Sequence, residues 1–238
     1  MTDSILGYPL VISARRQTIG IYVREGQVTI RSPKGISNAE ITHFVRSKLP
    51  WIEKTLIKQQ TQTASTPTLT PGSQIRILGK PRTIVAQTGN HYGLQLSADN
   101  VLLQMPATEN EFTLSAYAII EYWLKQLAKE MVPAKAQKFA EQLGVRDALV
   151  AVKFRKTKSK WGHCTNHGII QINWLIMMAP EAVIDYLICH EVCHLVHPNH
   201  STAFWHSVAS LCPDYLDHKN WLNRHAAELW LEKPIRQS

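Results

Sequence analysis

The stretch CHEVCHLVHPNHSTAFW, residues 189–205, holds four of the chain's eleven histidines within eleven residues. The sequence before it, PEAVIDYLI, is apolar at helical spacing and opens on Pro180, a residue welcome in a first helical turn. A helix is therefore expected to run into the histidines. On that helix His190 and His194 stand four apart and project from one face. Two imidazole nitrogens so placed can chelate one tetrahedral ion. Glu191 lies about 100° around the helix, at the flank of the pair, where it can reach a metal-bound water without taking a coordination position. This division of labour is what the H-E-x-x-H spacing encodes.

A third ligand has to come from beyond the first two turns. His197 shares the face, but it lies about 10 Å along the axis from His190, too far for a straight helix to bring all three rings to one ion. Pro198 disfavours helical geometry at His197, and Asn199 tolerates a left-handed turn. The chain is expected to reverse there and swing His200 back, so His200 is preferred to His197. The spacing of His190, His194 and His200 equals that of the metzincin pattern, with His197 in the place of its glycine. The expectation is one Zn²⁺ per chain, with water in the fourth position, as in catalytic sites. The alternative is a closed structural site using Cys164, Cys189 or Cys193. Cys189 and Cys193 share a stripe turned away from the histidines and read as core.

The rest of the chain reads as α+β. TIGIYV and VTIRSP flank a glycine turn as a hairpin. SNAE, residues 37–40, spells a capping box before an amphipathic helix that Pro50 is expected to kink or divide. Residues 61–72 have the composition of a linker. Four strand-like pieces follow, QIRILG, RTIVAQ, GLQLS and VLLQMP, and then a helical pattern ending at Gly144. ALVAVKF and IIQINWLI bracket KSKWGHCTNHG, which reads as a hairpin around Trp161. The division expected is a β-rich region over 1–106, with a helix over about 37–60 and the linker over 61–72, then a catalytic domain over 107–238.

Composition constrains the class. With 238 residues, 45% hydrophobic and 18% charged, the chain can bury a substantial core. No apolar run approaches a membrane span, and the first residues lack the pattern of a signal peptide. Four cysteines, two of them on the histidine stretch, do not suggest a secreted disulfide framework. A cytoplasmic enzyme without a membrane partner is expected. The net charge of +8 fits either acidic partners or a scattered solvated surface.

RKTKSKWGHC, INWLIMMAPEAVIDYLICHEVCHLVHPNHSTAFW and YLDHKNWL together resemble the YgjP-like family of zinc metallopeptidases, whose motif is similar to that of SprT-like and WLM proteases. TIGIYVREGQVTIRSPKGIS and FVRSKLPWIEK resemble the family's N-terminal region. Where that family has a small residue between Gly and Cys, this chain has His163. The resemblance implies a zincin-like domain with the H-E-x-x-H helix beside a β-hairpin. It also implies a zinc-dependent hydrolase with His190, His194 and His200 as ligands and Glu191 as base.

The chemistry expected is hydrolysis of a peptide or protein. Zinc on three neutral imidazoles acidifies its water, and Glu191 takes the proton and returns it to the leaving amine. The developing oxyanion needs a further donor, for which Arg155, His163 and Tyr215 are candidates. An edge strand near Trp161 is the candidate for holding extended substrate by β-addition. Two other classes stay open: hydrolysis of a nucleotide phosphoanhydride at the same site, though without a G-x-x-x-x-G-K-[ST] loop, and association with nucleic acid through the basic charge.

Overall fold

The chain divides into two compact units, Met1–Ser65 and Thr66–Ser238. The computed structural model describes residues 3–24, 26–106 and 112–234, with the backbone alone over 58–65. In the first unit, β1 (Ser4–Ile5), β2 (Tyr8–Ile12), β3 (Gly20–Arg24) and β4 (Gln27–Ser32) form one sheet in the order β1-β2-β4-β3. β2 runs parallel to β4, and β3 pairs with β4 as the expected hairpin. Period-two alternation turns Val28 and Ile30 to one face, where they share a core with Leu10, Ile41, Val45 and Ile52.

The last three of these lie on α1 (Asn38–Ser65). Its start is a capping box: Ser37 Oγ accepts from Glu40 N–H at 3.3 Å, and the Glu40 carboxylate accepts from Ser37 N–H at 3.0 Å. Pro50 does not divide the helix. One element runs through it, because Ile41, Val45 and Ile52 stay buried on both sides of the proline, and that packing offsets the lost backbone hydrogen bond. The same continuity takes helix into residues expected as linker, as far as Ser65.

The second unit begins with β5 (Gln74–Ile77), β6 (Lys80–Thr88), β7 (Gly93–Leu96) and β8 (Asn100–Met105), in the order β5-β6-β8-β7. α2 (Phe112–Gln142) follows and buries Ile120, Leu124, Ala128, Val132, Ala136 and Ala140 at i, i+4 spacing. The alanines let neighbouring elements approach closely. Ile75, Ile77, Ile84, Val101 and Leu103 share the core of this helix. That shared core sets the division at 65/66, whereas the sequence reading placed it at 106/107.

A third sheet holds β9 (Ala151–Arg155), β10 (Gly162–Cys164) and β11 (Ile169–Asn173), in the order β10-β11-β9. Here the expected arrangement is corrected. The two bracketing strands, β9 and β11, lie parallel, since residues 156–168 give enough chain for a crossover. The hairpin is β10 with β11. Asn173 closes it: its N–H donates to Trp161 O at 2.7 Å, and its Nδ2 donates to Thr157 O at 3.1 Å.

A buried 3-10 turn, Trp174–Met178, leads to α3 (Glu181–Cys193), then α4 (Thr202–Leu211) and α5 (Tyr215–His225). Pro180 sits just before the first helical residue of α3, not within its first turn. The whole is a mixed α+β architecture of five α-helices and three sheets among the described residues. Among those residues no helix is long and apolar enough to cross a membrane.

Candidate metal centre

α3 is clamped before it reaches the histidines. Lys135 on α2 pairs with Glu181 and Asp185 on α3, each at 2.7 Å. Val183, Ile184, Ile188 and Val192 of α3 enter the main core, while Tyr186, Cys189 and Cys193 pack with Phe204 and Val208 in a second cluster. With so many sides of the helix buried, His190 and His194 have one outlet. The helix ends at Cys193, and His194 is its cap.

The turn that follows is held by hydrogen bonds. His197 N–H donates to Cys193 O at 3.0 Å, and Ser201 Oγ accepts from Phe204 N–H at 3.3 Å as the N-cap of α4. His194 Nδ1 lies 2.9 Å from His197 O. A carbonyl only accepts, so Nδ1 carries the proton and Nε2 keeps its lone pair. The His197 ring goes elsewhere, with Nε2 3.0 Å from Ser207 Oγ on α4. His200 returns to the pair: its Nε2 lies 3.1 Å from His190 Nε2.

One nitrogen each from His190, His194 and His200 lies within 4.8 Å of the others. The edges of a tetrahedral site with metal–nitrogen bonds of about 2.0–2.1 Å are roughly 3.3 Å, so the 3.1 Å pair fits a shared ion. His190 Nδ1 is buried and has no hydrogen-bond partner among the described residues. Burial, and then the neighbouring His194 and His200, push the His190 pKa down to about 3. Burial also lowers that of His194, against the opposing pull of the His197 carbonyl, and charge on His200 or His163 adds to the lowering. Neutral imidazole is the form that binds metal, and these surroundings enforce it.

Phe204 forms the wall behind the cluster. It is fully buried, with its ring centroid 4.9, 4.5 and 4.8 Å from those of His190, His194 and His200. Trp205 stacks on His200 at 5.6 Å and carries the Lys219 ammonium 4.4 Å from its own ring centre.

Glu191 is only 4% exposed, and its carboxylate is seated on β10. The Cys164 N–H donates to it, while burial drives its pKa up to about 8 against the opposing pull of Lys160. Gly162 makes the seat possible, since a Cβ there would lie 2.4 Å from Glu191 Oε1.

The three suggested oxyanion donors fall in different places. His163 is exposed on β10, the strand that seats Glu191, and is opposite Gln171 of β11. Arg155 ends β9, with β11 standing between it and β10. Tyr215 stacks on Trp205 at 5.3 Å, one ring removed from His200. Sequence reading missed Gly162, the Cys164 N–H, the His197 carbonyl and Phe204 as parts of this centre. Phe204 alone left a signal, since Ser201 three residues earlier spells an N-cap.

The family model described as YgjP-like, metallopeptidase domain, matches residues 17–225. No curated protein matches the chain. Among solved structures, the crystal structure of the metallopeptidase zymogen of Pyrococcus abyssi abylysin is similar at 21% identity over 40% of this chain and 94% of that one, with a TM-score of 0.36.

Proposed function

Because this chain belongs to the YgjP-like metallopeptidase family, we propose that it is a zinc-dependent peptidase of zincin-like build, cleaving peptide bonds with an activated water. The observation that carries the reading is the convergence of His190, His194 and His200, two of them held neutral by burial, beside a buried carboxyl at Glu191. These three histidines would hold one zinc per chain. A bound divalent ion supplies Lewis acidity, acidifying the attacking water and polarising the substrate carbonyl.

The chain's own residues do the rest. Glu191 takes the proton of the attacking water and passes it to the leaving amine. A nearby cation favours its ionised form, drawing down further a pKa that burial holds near 8 against the pull of Lys160 and the Cys164 N–H. The Cys164 N–H keeps the carboxylate pointed while the proton moves. β10 is an edge strand, so its outer backbone groups are the place for an extended substrate to add as a further strand. His163 on that strand is the donor assigned to the oxyanion.

The test is to strip the protein with a chelator, restore it with zinc, and follow cleavage of an unstructured fluorescent polypeptide. Cleavage that appears with about one zinc per chain supports the reading. A zinc-loaded protein that leaves a broad panel of polypeptides intact, or that instead hydrolyses nucleoside triphosphates, overturns it.

A further inference from the structure

The positive charge of this chain is uneven. Over residues 1–65, nine Lys and Arg stand against four Asp and Glu, so five of the net eight charges fall on 65 of the 238 residues. Three of the nine, Arg16, Arg24 and Arg31, stand at one face of the sheet in this unit. Val28 and Ile30 of β4 point to the core, so Thr29 and Arg31 point the other way, with Tyr22 opposite Thr29 and Gly20 opposite Arg31 on β3. Arg24, two residues beyond Tyr22, lies on that same outer face.

Two guanidinium groups lie against the Tyr22 phenol, with Arg24 farther along the same strand. Arg16 Nη1 donates to Tyr22 OH at 2.8 Å, its Nε donates to Thr18 O at 3.2 Å, and its Cζ stands 5.3 Å from the ring centre. Arg31 Cζ is 4.8 Å from the same ring. The Arg16 hydrogen bond, and then the charges of Arg16, Arg31 and Arg24, hold the Tyr22 hydroxyl below its ordinary pKa. Gly20 supplies the space, since a Cβ there would meet Arg16 Nη2 at 2.7 Å. Among the described residues no carboxylate pairs with any of these arginines. Repulsion among like charges is normally relieved by an acid or by dispersal, and among the described residues neither occurs. Arg16 is instead fixed in place with donors to spare, a preorganised arrangement for an anion.

We propose that this outer sheet face binds single-stranded nucleic acid, with Arg16, Arg24 and Arg31 on phosphates and bases lying against the guanidinium and phenol planes. Guanidinium forks match phosphate oxygens two at a time. Stacking on aromatic or guanidinium planes is how an open sheet takes unpaired bases. An acidic peptide would meet the charge but leave those planes without planar partners. A duplex would need an element that enters a groove, which a sheet face carrying short side chains such as Thr29 and Val11 does not provide.

The experiment uses the full chain and a fluorescein-labelled twelve-residue oligothymidylate, followed by anisotropy between 50 and 200 mM salt. Three phosphate contacts at about 0.7 counterions each predict a slope of log K against log salt near −2. Arg24→Gln and Arg31→Gln should each shrink that slope by about 0.7 and weaken binding several-fold. Among the described residues Arg24, which is exposed, makes no side-chain bond that its loss could break, so that variant keeps the test independent of folding. Unchanged binding in Arg24→Gln and Arg31→Gln overturns the proposal. So does displacement of the oligonucleotide by polyglutamate of equal charge as readily as by unlabelled oligonucleotide, or tighter binding of a duplex of the same length.

Discussion

Gly162 and Glu191 meet at a distance that only a missing side chain permits. A Cβ on Gly162 would stand 2.4 Å from Glu191 Oε1 and 2.6 Å from its Cδ and Cγ. Gly162→Ala must therefore push the carboxyl off β10 and away from the Cys164 N–H. None of the three clustered histidines makes that contact, so zinc content should stay near one per chain while kcat falls at least tenfold and KM changes little. Metal analysis beside steady-state kinetics reads this directly. Full activity in Gly162→Ala would mean that the seat is irrelevant to the chemistry.

Glu191→Gln preserves size but cannot accept a proton. Hydrolysis should fall by about 10²-fold or more, the usual cost of losing a general base, with zinc retained. Zinc loss would instead make Glu191 a ligand.

The same substitution should leave a mark on the stability of the metal-free protein. Glu191 ionises near 8 when folded, against an ordinary value of 4.5. A carboxyl with a raised folded pKa contributes stability that is complete below the unfolded value and is lost as pH rises through the folded one. Wild type should thus lose stability relative to Glu191→Gln between about pH 4.5 and 8, the window set by those two values. Urea denaturation of both proteins at pH 5 and pH 8.5 measures it, and a gap that stays constant would show that Glu191 ionises freely in the fold. His190, lowered to about 3 by burial, acts in the opposite sense. Its contribution is present above its unfolded value and fades as pH falls, and comparing the two proteins cancels it.

Two histidines seven and ten residues from His190 should behave differently. The His197 ring contacts Ser207, and its service to the cluster is through its backbone carbonyl on His194 Nδ1. His197→Ala should therefore keep zinc with at most a modest loss of affinity, and His200→Ala should lose it. The reverse result in isotope-dilution metal analysis would put His197 in the coordination sphere.

Cys189 and Cys193 are buried beside Phe204, and all four thiols are free. Cys189→Ala should retain zinc and lose stability by about 1 kcal/mol or more through the cavity it leaves. A folded Cys189→Ala protein without zinc would mean that the sulfur, not its packing, is what matters.

Local signals were legible where neighbours in sequence are neighbours in space. The helix bearing His190, the reversal after His197 and the capping box at Ser37 all depend on contacts within about ten residues. What escaped reading was set by distant partners. Nothing near Pro50 says that Ile41 and Ile52 will be buried against a sheet strongly enough to carry the helix through. Nothing in β9 or β11 alone says parallel, because that depends on how residues 156–168 travel. The unit boundary at 65/66 follows from β5 to β8 sharing a core with a helix that starts only at Phe112. The seat of Glu191 joins residues 29 apart in the chain, and a glycine in WGH carries no sign of the carboxyl that will fill its empty side.

The centre thus consists of two parts with different closure lengths. The three imidazoles and the Phe204 wall all lie within residues 190–204, a loop short enough to close on its own. The resting place of Glu191 depends on β10, which depends on β11, which depends on a crossover from β9. A chain emerging from an unfolded state can therefore bring the three imidazoles together well before Glu191 has anywhere to sit, since long-range pairings form late. Refolding in the presence of zinc should pass through a loaded but inert stage, so the nascent molecule is a metal-binding protein before it is a hydrolase.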